Sequence, residues 1–203
     1  MDASAHDIVS HSHTQPKVHG QRAYSLFDAL TTLAVLCTVA TVAIPAVSHL
    51  VASTRVTTQV NELMTHLHLA RSEAIKRGQR VLLCKSRDGS RCTSDSPWHE
   101  GWIVFVDQND NHTVDGDEQI IRVQQALTGV TLQAGLSGSG SNLNDYVGYR
   151  PDGFSGKRGT FTFCVPNAPN RARAIILYWT GRPRISRISA KKAALTCPSP
   201  AVS

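Results

Sequence analysis

Aromatic residues make up only 6% of this 203-residue chain, and no recognisable catalytic signature accompanies them. There is no nucleophile elbow, no HExxH and no glycine-rich phosphate loop, which excludes the common serine hydrolase, zinc protease and nucleotide-binding designs. The cysteines form neither a CxxC pair nor a Cys/His set at zinc spacing, so a structural zinc site is excluded as well. The chain is therefore read as a non-enzyme without cofactor or resident metal. Two further absences concern charge. No formally charged residue lies between Asp28 and Arg55, and no acid lies between Arg171 and Ser203.

What is present fits one globular domain of ordinary size. Common glycine and short apolar stretches lean towards β-structure with many turns. The net charge of +6 is unevenly placed. Tyr24 to Asn170 holds 12 Lys/Arg against 13 Asp/Glu, whereas Arg171 to Ser203 holds 7 Lys/Arg alone. The basicity belongs to one end. Cys37 lies in an apolar run and reads as a small buried side chain. The other four cysteines allow three pairings, of which Cys84–Cys92 with Cys164–Cys197 is preferred, and this suits an oxidising compartment.

The uncharged stretch after Asp28 is long enough to cross a bilayer as a helix. It is too long for the apolar region of a secretory signal peptide and lacks a convincing cleavage pattern after it. Two residues set it apart from an ordinary anchor. Asp28 places a carboxylate at its start, where it needs a partner, and Pro45 interrupts its far end. Ala23-Tyr24-Ser25-Leu26-Phe27-Asp28 followed by ALTTLAVL resembles the processing site of type IV pilin-like proteins. The resemblance implies that a prepilin peptidase cuts between Ala23 and Tyr24 and that Tyr24 is N-methylated. Asp28 is then the fifth mature residue and Pro45 the twenty-second, as in that family. Ala, Tyr and Asp stand where the family usually has Gly, Phe and Glu. The fifth-position carboxylate would neutralise a neighbouring subunit's terminal ammonium inside the filament. The implied organisation is a cytoplasmic leader over residues 1–23, a hydrophobic transmembrane and filament-core segment over 24–50, and a periplasmic domain over 51–203.

Val56, Val60, Leu63, Leu67, Ala70 and Ala74 recur at steps of four and three, which marks one apolar face of a helix. Gly78 supplies a stop, so one helix is expected from about Leu26 to Arg77. His66 and His68, two apart on that helix, point to different faces and are not read as metal ligands. Strands are expected over Arg80–Lys85, Gly101–Asp107, Gln119–Gln125, Val130–Ala134, Asp145–Arg150, Thr160–Val165, Arg173–Thr180 and Arg184–Ile188. The order implies an α+β domain, its antiparallel sheet packed on the helix. The runs ELMTHLHLARSEAIKRGQRVLLC and GWIVFVDQNDNHTVDGDEQIIRV resemble the GspH/FimT branch of the pilin superfamily. That branch contains type IV pilus minor pilins and the minor pseudopilin H of type II secretion. The resemblance implies other pilin subunits and the inner membrane as partners.

Within the second run, Asp107, Asn109, Asn111, Asp115 and Glu118 fall at the spacing of a calcium loop. His112 occupies the sixth position, where such loops use glycine, and strands rather than helices flank the turn. A plain hairpin connection is the preferred reading.

At the basic end, Arg182-Pro183-Arg184 leaves a strand that reads as well buried, with Pro183 stiffening the exit. Arginine forks suit phosphates. Gly181-Arg182-Pro183-Arg184 resembles the Gly-Arg-x-Arg element of FimT-type minor pilins, which bind DNA for uptake in natural transformation. The implied DNA-binding set is Gly181, Arg182, Arg184, Arg187, Lys191 and Lys192, acting on the phosphate backbone without sequence preference. No aromatics interleave the tail, so base stacking is not expected. The alternative is a structural minor pilin or pseudopilin H that primes filament assembly without DNA.

Overall fold

A computed structural model describes residues 25–135, 143–166, 168–190 and 192–197, and within these the side chains of 42, 44–52 and 169 fall outside the description. The chain divides into two units, Met1–Ile44 and Pro45–Ser203. One helix, α1 (Leu26–Arg77), contributes to both.

In the first unit Ser25 and Asp28 cap the start of α1. The Phe27 N–H donates to Ser25 Oγ at 3.3 Å, and the Ser25 N–H donates to Asp28 Oδ2 at 3.3 Å, a reciprocal capping arrangement. Thr31, Thr32, Thr38 and Thr41 each donate a hydroxyl to the carbonyl three residues back, at 2.8–3.0 Å. These threonines thus satisfy their polar atoms within the helix and leave methyl groups outward. Leu26, Phe27, Leu30, Leu33, Val35, Leu36 and Val39 are exposed on the single chain. Cys37, expected to be a small buried side chain, is exposed on the single chain too. Among the described residues no helix is long and apolar enough to cross a membrane. The span expected over 24–50 includes 24, 42 and 44–50, which lie outside the described side chains. The stretch before residue 42 is shorter than the roughly 20 residues a crossing helix needs. The proposed leader, Ala23 and Tyr24 also lie outside the described residues.

The second unit is built on the periodic face of α1. Val56, Val60, Leu63, Leu67, Ala70 and Ala74 are all buried, and Gly78 ends the helix at φ 63°, a left-handed conformation that glycine adopts without strain. Among the described residues eight strands follow: β1 (Arg80–Lys85), β2 (Trp102–Asp107), β3 (Ile120–Gln124), β4 (Thr131–Gly135), β5 (Tyr146–Tyr149), β6 (Gly159–Cys164), β7 (Arg173–Leu177) and β8 (Pro183–Ser186). They form two four-stranded sheets, ordered β3-β2-β1-β5 and β4-β6-β7-β8, antiparallel throughout. A single sheet was the sequence expectation. Alternation within strands identifies a buried face but not which strands pair, and β5 returns to β1 while β4 pairs with β6.

Both sheets contribute to one core. Val81, Leu83, Trp102 and Val104 from the first, and Phe161, Phe163, Ile175 and Leu177 from the second, join the helix face. His66 is buried in it and accepts the Trp102 indole N–H on Nδ1 at 3.0 Å, so its ring is a neutral acceptor. Burial, with Arg122 adding to it, pulls the His66 pKa below the ordinary histidine value. The opposite face of the first sheet carries a second cluster, Leu82, Cys84, Ile103 and Phe105, against which Cys92, Val114, Ile120 and Tyr146 pack from the loops and neighbouring strands. The Cys84–Cys92 disulfide ties one of those loops down, and Cys164–Cys197 joins the end of β6 to the C-terminal segment. The preferred pairing is the one present.

Candidate nucleic-acid interface

The basic segment is the last strand of the second sheet and the chain on either side of it. β7 is buried along most of its length, and β8 pairs with it through Ala174–Ser186, Ile175–Ile185, Ile176–Arg184 and Leu177–Pro183. β8 is an edge strand. Pro183 fits there because it is the strand's first residue, where a missing N–H costs no ladder bond.

The sequence places β7 through Thr180, but it ends at Leu177. Tyr178 and Trp179 leave the sheet and are 42% and 56% exposed. The apolar run continues past the strand because these aromatics serve the turn instead. The Gly181 N–H donates to the Tyr178 carbonyl at 2.9 Å. Trp179 tilts against Phe154 with ring centroids 5.3 Å apart, and its carbonyl accepts the Ser155 N–H at 3.2 Å. The exposed Tyr178 ring therefore lies beside Arg184, an aromatic neighbour that comes from the chain before the basic segment rather than from within it.

Gly181 is buried, with φ 73°. A Cβ there would collide with the Gly153 carbonyl oxygen and approach Tyr149 Cε1 to 3.0 Å and Ser155 N to 3.3 Å. Its role is to seat the turn on the neighbouring loop, a positioning role rather than an outward-facing contact.

Arg182, Arg184 and Arg187 are exposed. Arg182 and Arg184 are two residues apart in extended chain, so their side chains leave on one side, roughly 6–7 Å apart along the strand. That side also carries Tyr178: Arg184 donates from Nη2 to the Tyr178 hydroxyl at 3.4 Å, with its guanidinium carbon 5.7 Å from the ring centroid. Arg187 is an odd number of residues further on, past the end of β8. Among the described residues none of the three arginines forms a salt bridge. Beyond β8 the chain folds back through an Ile188–Ala194 bridge. Lys192 sits in that turn at φ 60°, with its N–H donated to the Ser189 carbonyl at 3.0 Å. Lys191 lies outside the described residues. The Cys164–Cys197 bond then closes the segment onto β6 across 33 residues. In the chain-entropy view such closure contributes about 3–4 kcal/mol.

No curated protein matches the chain. Among solved structures, the Pseudomonas aeruginosa type IV minor pilin FimU is similar, at 15% identity and a TM-score of 0.49, over 66% of this chain and 89% of that one. The minor pseudopilin EpsH from the Vibrio cholerae Type 2 Secretion System is similar at 15% identity and a TM-score of 0.46, over 65% of this chain and 96% of that one. The family model described as Type II transport protein GspH matches residues 59–181, from the periodic face of α1 to the glycine that seats the basic hairpin. With more than half of its length matched, the chain belongs to the GspH family of type II transport proteins.

Proposed function

We propose that the protein is a minor pilin of the FimT type, which binds DNA non-specifically through the β7–β8 hairpin and supports DNA uptake in natural transformation. The observation that carries this reading is the pairing of Arg182 with Arg184. Both are exposed, on one side of an edge strand, without a carboxylate partner among the described residues. Guanidiniums without a competing carboxylate, carried at a fixed backbone spacing, can offer their planar forks to phosphates. Arg187, Lys191 and Lys192 add to the positive field. The proposal includes the rest of the family pattern: removal of residues 1–23 by a prepilin peptidase, N-methylation of Tyr24, and inner-membrane anchoring through 24–50 with residues 51–203 in the periplasm. The exposed apolar side chains from Leu26 to Val39 support burial against lipid or other pilin subunits. Asp28 would exchange its capping contact for a neighbour's terminal ammonium in the filament.

A salt titration of duplex-DNA binding by the detergent-solubilised full chain tests the reading. With three to five phosphates neutralised, log Kobs falls against log salt with a slope of about −3 to −5. The Arg182→Gln/Arg184→Gln variant, checked for an unchanged melting temperature, is expected to lose binding. If the intact chain fails to bind duplex at low salt, the DNA reading is abandoned. The second reading, a structural minor pilin or pseudopilin H that primes assembly, rests on the family description as a type II transport protein. It predicts that the double variant retains full function in assembly.

A further inference from the structure

The connection between β2 and β3 presents a second feature that the proposed function does not use. β2 ends at Asp107, which is 1% exposed. One of its oxygens, Oδ1, accepts the Asn111 N–H at 3.2 Å. The other, Oδ2, is buried without a hydrogen-bond partner. A buried carboxylate oxygen in that state carries a desolvation cost that a cation would remove. Its carboxylate faces into the turn, within 4.8 Å of candidate ligand atoms of Asp110 and His112.

The other oxygen-bearing side chains of the turn bond one another and the local backbone, outside the group that Asp107 forms with Asp110 and His112. The Asn109 and Asn111 amides both donate to Asp115 Oδ2, at 2.6 and 2.7 Å. These contacts hold the Asp115 carboxyl below the usual carboxylate range. The Glu118 carboxylate accepts the Gln108 N–H at 2.8 Å and the Asp115 N–H at 3.2 Å. The sequence argued against a cation because the sixth position is His112 rather than glycine. His112 nevertheless stands at φ 62°, the left-handed conformation that calcium loops require of that position. Its ring is held there by stacking on Tyr146, with centroids 4.3 Å apart.

We propose that the turn from Asp107 to Glu118 is a calcium site, with the side-chain oxygens of Asp107, Asn109, Asn111, Asp115 and Glu118 as ligands. The donor set is all oxygen, which selects a hard cation. Calcium accepts six to eight such ligands in flexible geometry, whereas magnesium demands a near-ideal octahedron and keeps its water. The alternative trio of Asp107, Asp110 and His112 serves a softer ion poorly, because Asp110 is already ion-paired with Arg80. Two of the five ligands are neutral amides, so affinity falls in roughly the 10⁻⁴–10⁻³ M range of extracellular calcium modules. Binding would draw the Asp115 and Glu118 carboxylates towards Asp107 and turn the Asn109 and Asn111 oxygens inward in place of the N–H groups now directed at Asp115. It would also pin Val114, which packs on the second apolar cluster of the first sheet.

The test uses the full chain in detergent, stripped with chelator, and reads the melting temperature and the heat of titration with calcium, magnesium and zinc chlorides. Calcium at ten times its Kd is expected to raise the melting temperature by about 3–6 °C. Asp115→Asn should weaken calcium binding at least tenfold while leaving the calcium-free melting temperature within about 2 °C. His112→Gly should retain binding, since glycine keeps the left-handed turn. Loss of binding in His112→Gly, stabilisation by zinc alone, or no response to any ion would each overturn the proposal. DNA binding is read on the other sheet, so neither result decides the other.

Discussion

Two turns of this chain, Asp107–Glu118 in the first sheet and Tyr178–Arg182 in the second, solve the same problem in opposite ways. The first is held by its own side chains: Asn109, Asn111, Asp115 and Glu118 bond one another and the local backbone. The second is held from beneath, by Gly181 seated against Gly153, Tyr149 and Ser155. A turn braced by side chains spends its polar groups on itself unless an ion replaces those bonds. One braced by backbone leaves its arginines available to an external anion. Each sheet also has one disulfide, a short closure at Cys84–Cys92 and a long one at Cys164–Cys197.

Breaking the long closure should have the largest effect. Cys164→Ser/Cys197→Ser is expected to cost about 3–4 kcal/mol, and Cys84→Ser/Cys92→Ser, with its shorter loop, about 2–3 kcal/mol. Equilibrium denaturation compares them; equal losses would mean that loop length does not govern either bond. Next is Gly181→Ala, which meets backbone on one side and a positive φ on the other. It should cost about 2–3 kcal/mol, and any folded fraction should also lose DNA binding because the arginines move. The matching change in the first turn, His112→Gly, should be nearly neutral without an ion, which is the sharpest form of the contrast.

Smaller still is a pH effect from the core that both sheets share. The folded pKa of His66 lies below its unfolded value, so the unfolded state takes up the proton more readily. Its contribution to stability is complete above the ordinary histidine pKa of about 6.5 and is lost as pH falls from there through the folded value. Melting temperatures from pH 8 to 5 should fall more steeply for the intact chain than for His66→Gln. His112, whose pKa is also lowered, by burial first, accounts for a residual slope. The smallest change is Arg187→Gln. It should reduce the salt slope of duplex binding by about one and leave stability unaltered, whereas an unchanged slope would remove Arg187 from the interface.

Much of this architecture was legible in the sequence. The steps of four and three from Val56 to Ala74, closed by Gly78, mark the helix because period and stop are both local properties. The strand cores were legible for the same reason. The division into two sheets was not, since pairing depends on which distant segments meet. The end of β7 was misplaced because Tyr178 and Trp179 continue an apolar run while serving the turn. Arg182 and Arg184 stood out by charge and motif, but their common side of an edge strand required the β7–β8 register. The buried, unpartnered oxygen of Asp107 left no trace in the spacing, because burial depends on how the turn packs and not on residue order.

The seat beneath Gly181 separates where the hairpin tip stands from what it carries. Because main-chain atoms of Gly153 and Ser155 and the edge of Tyr149 set the tip's position, positions 182 and 184 can be exchanged without re-solving the turn. The tip is a fixture with interchangeable heads. Carboxylates placed there would present the same spacing to a basic partner, and aromatics would present it to stacked bases. One protein could thus be re-aimed at a different class of ligand by changing two side chains and no backbone.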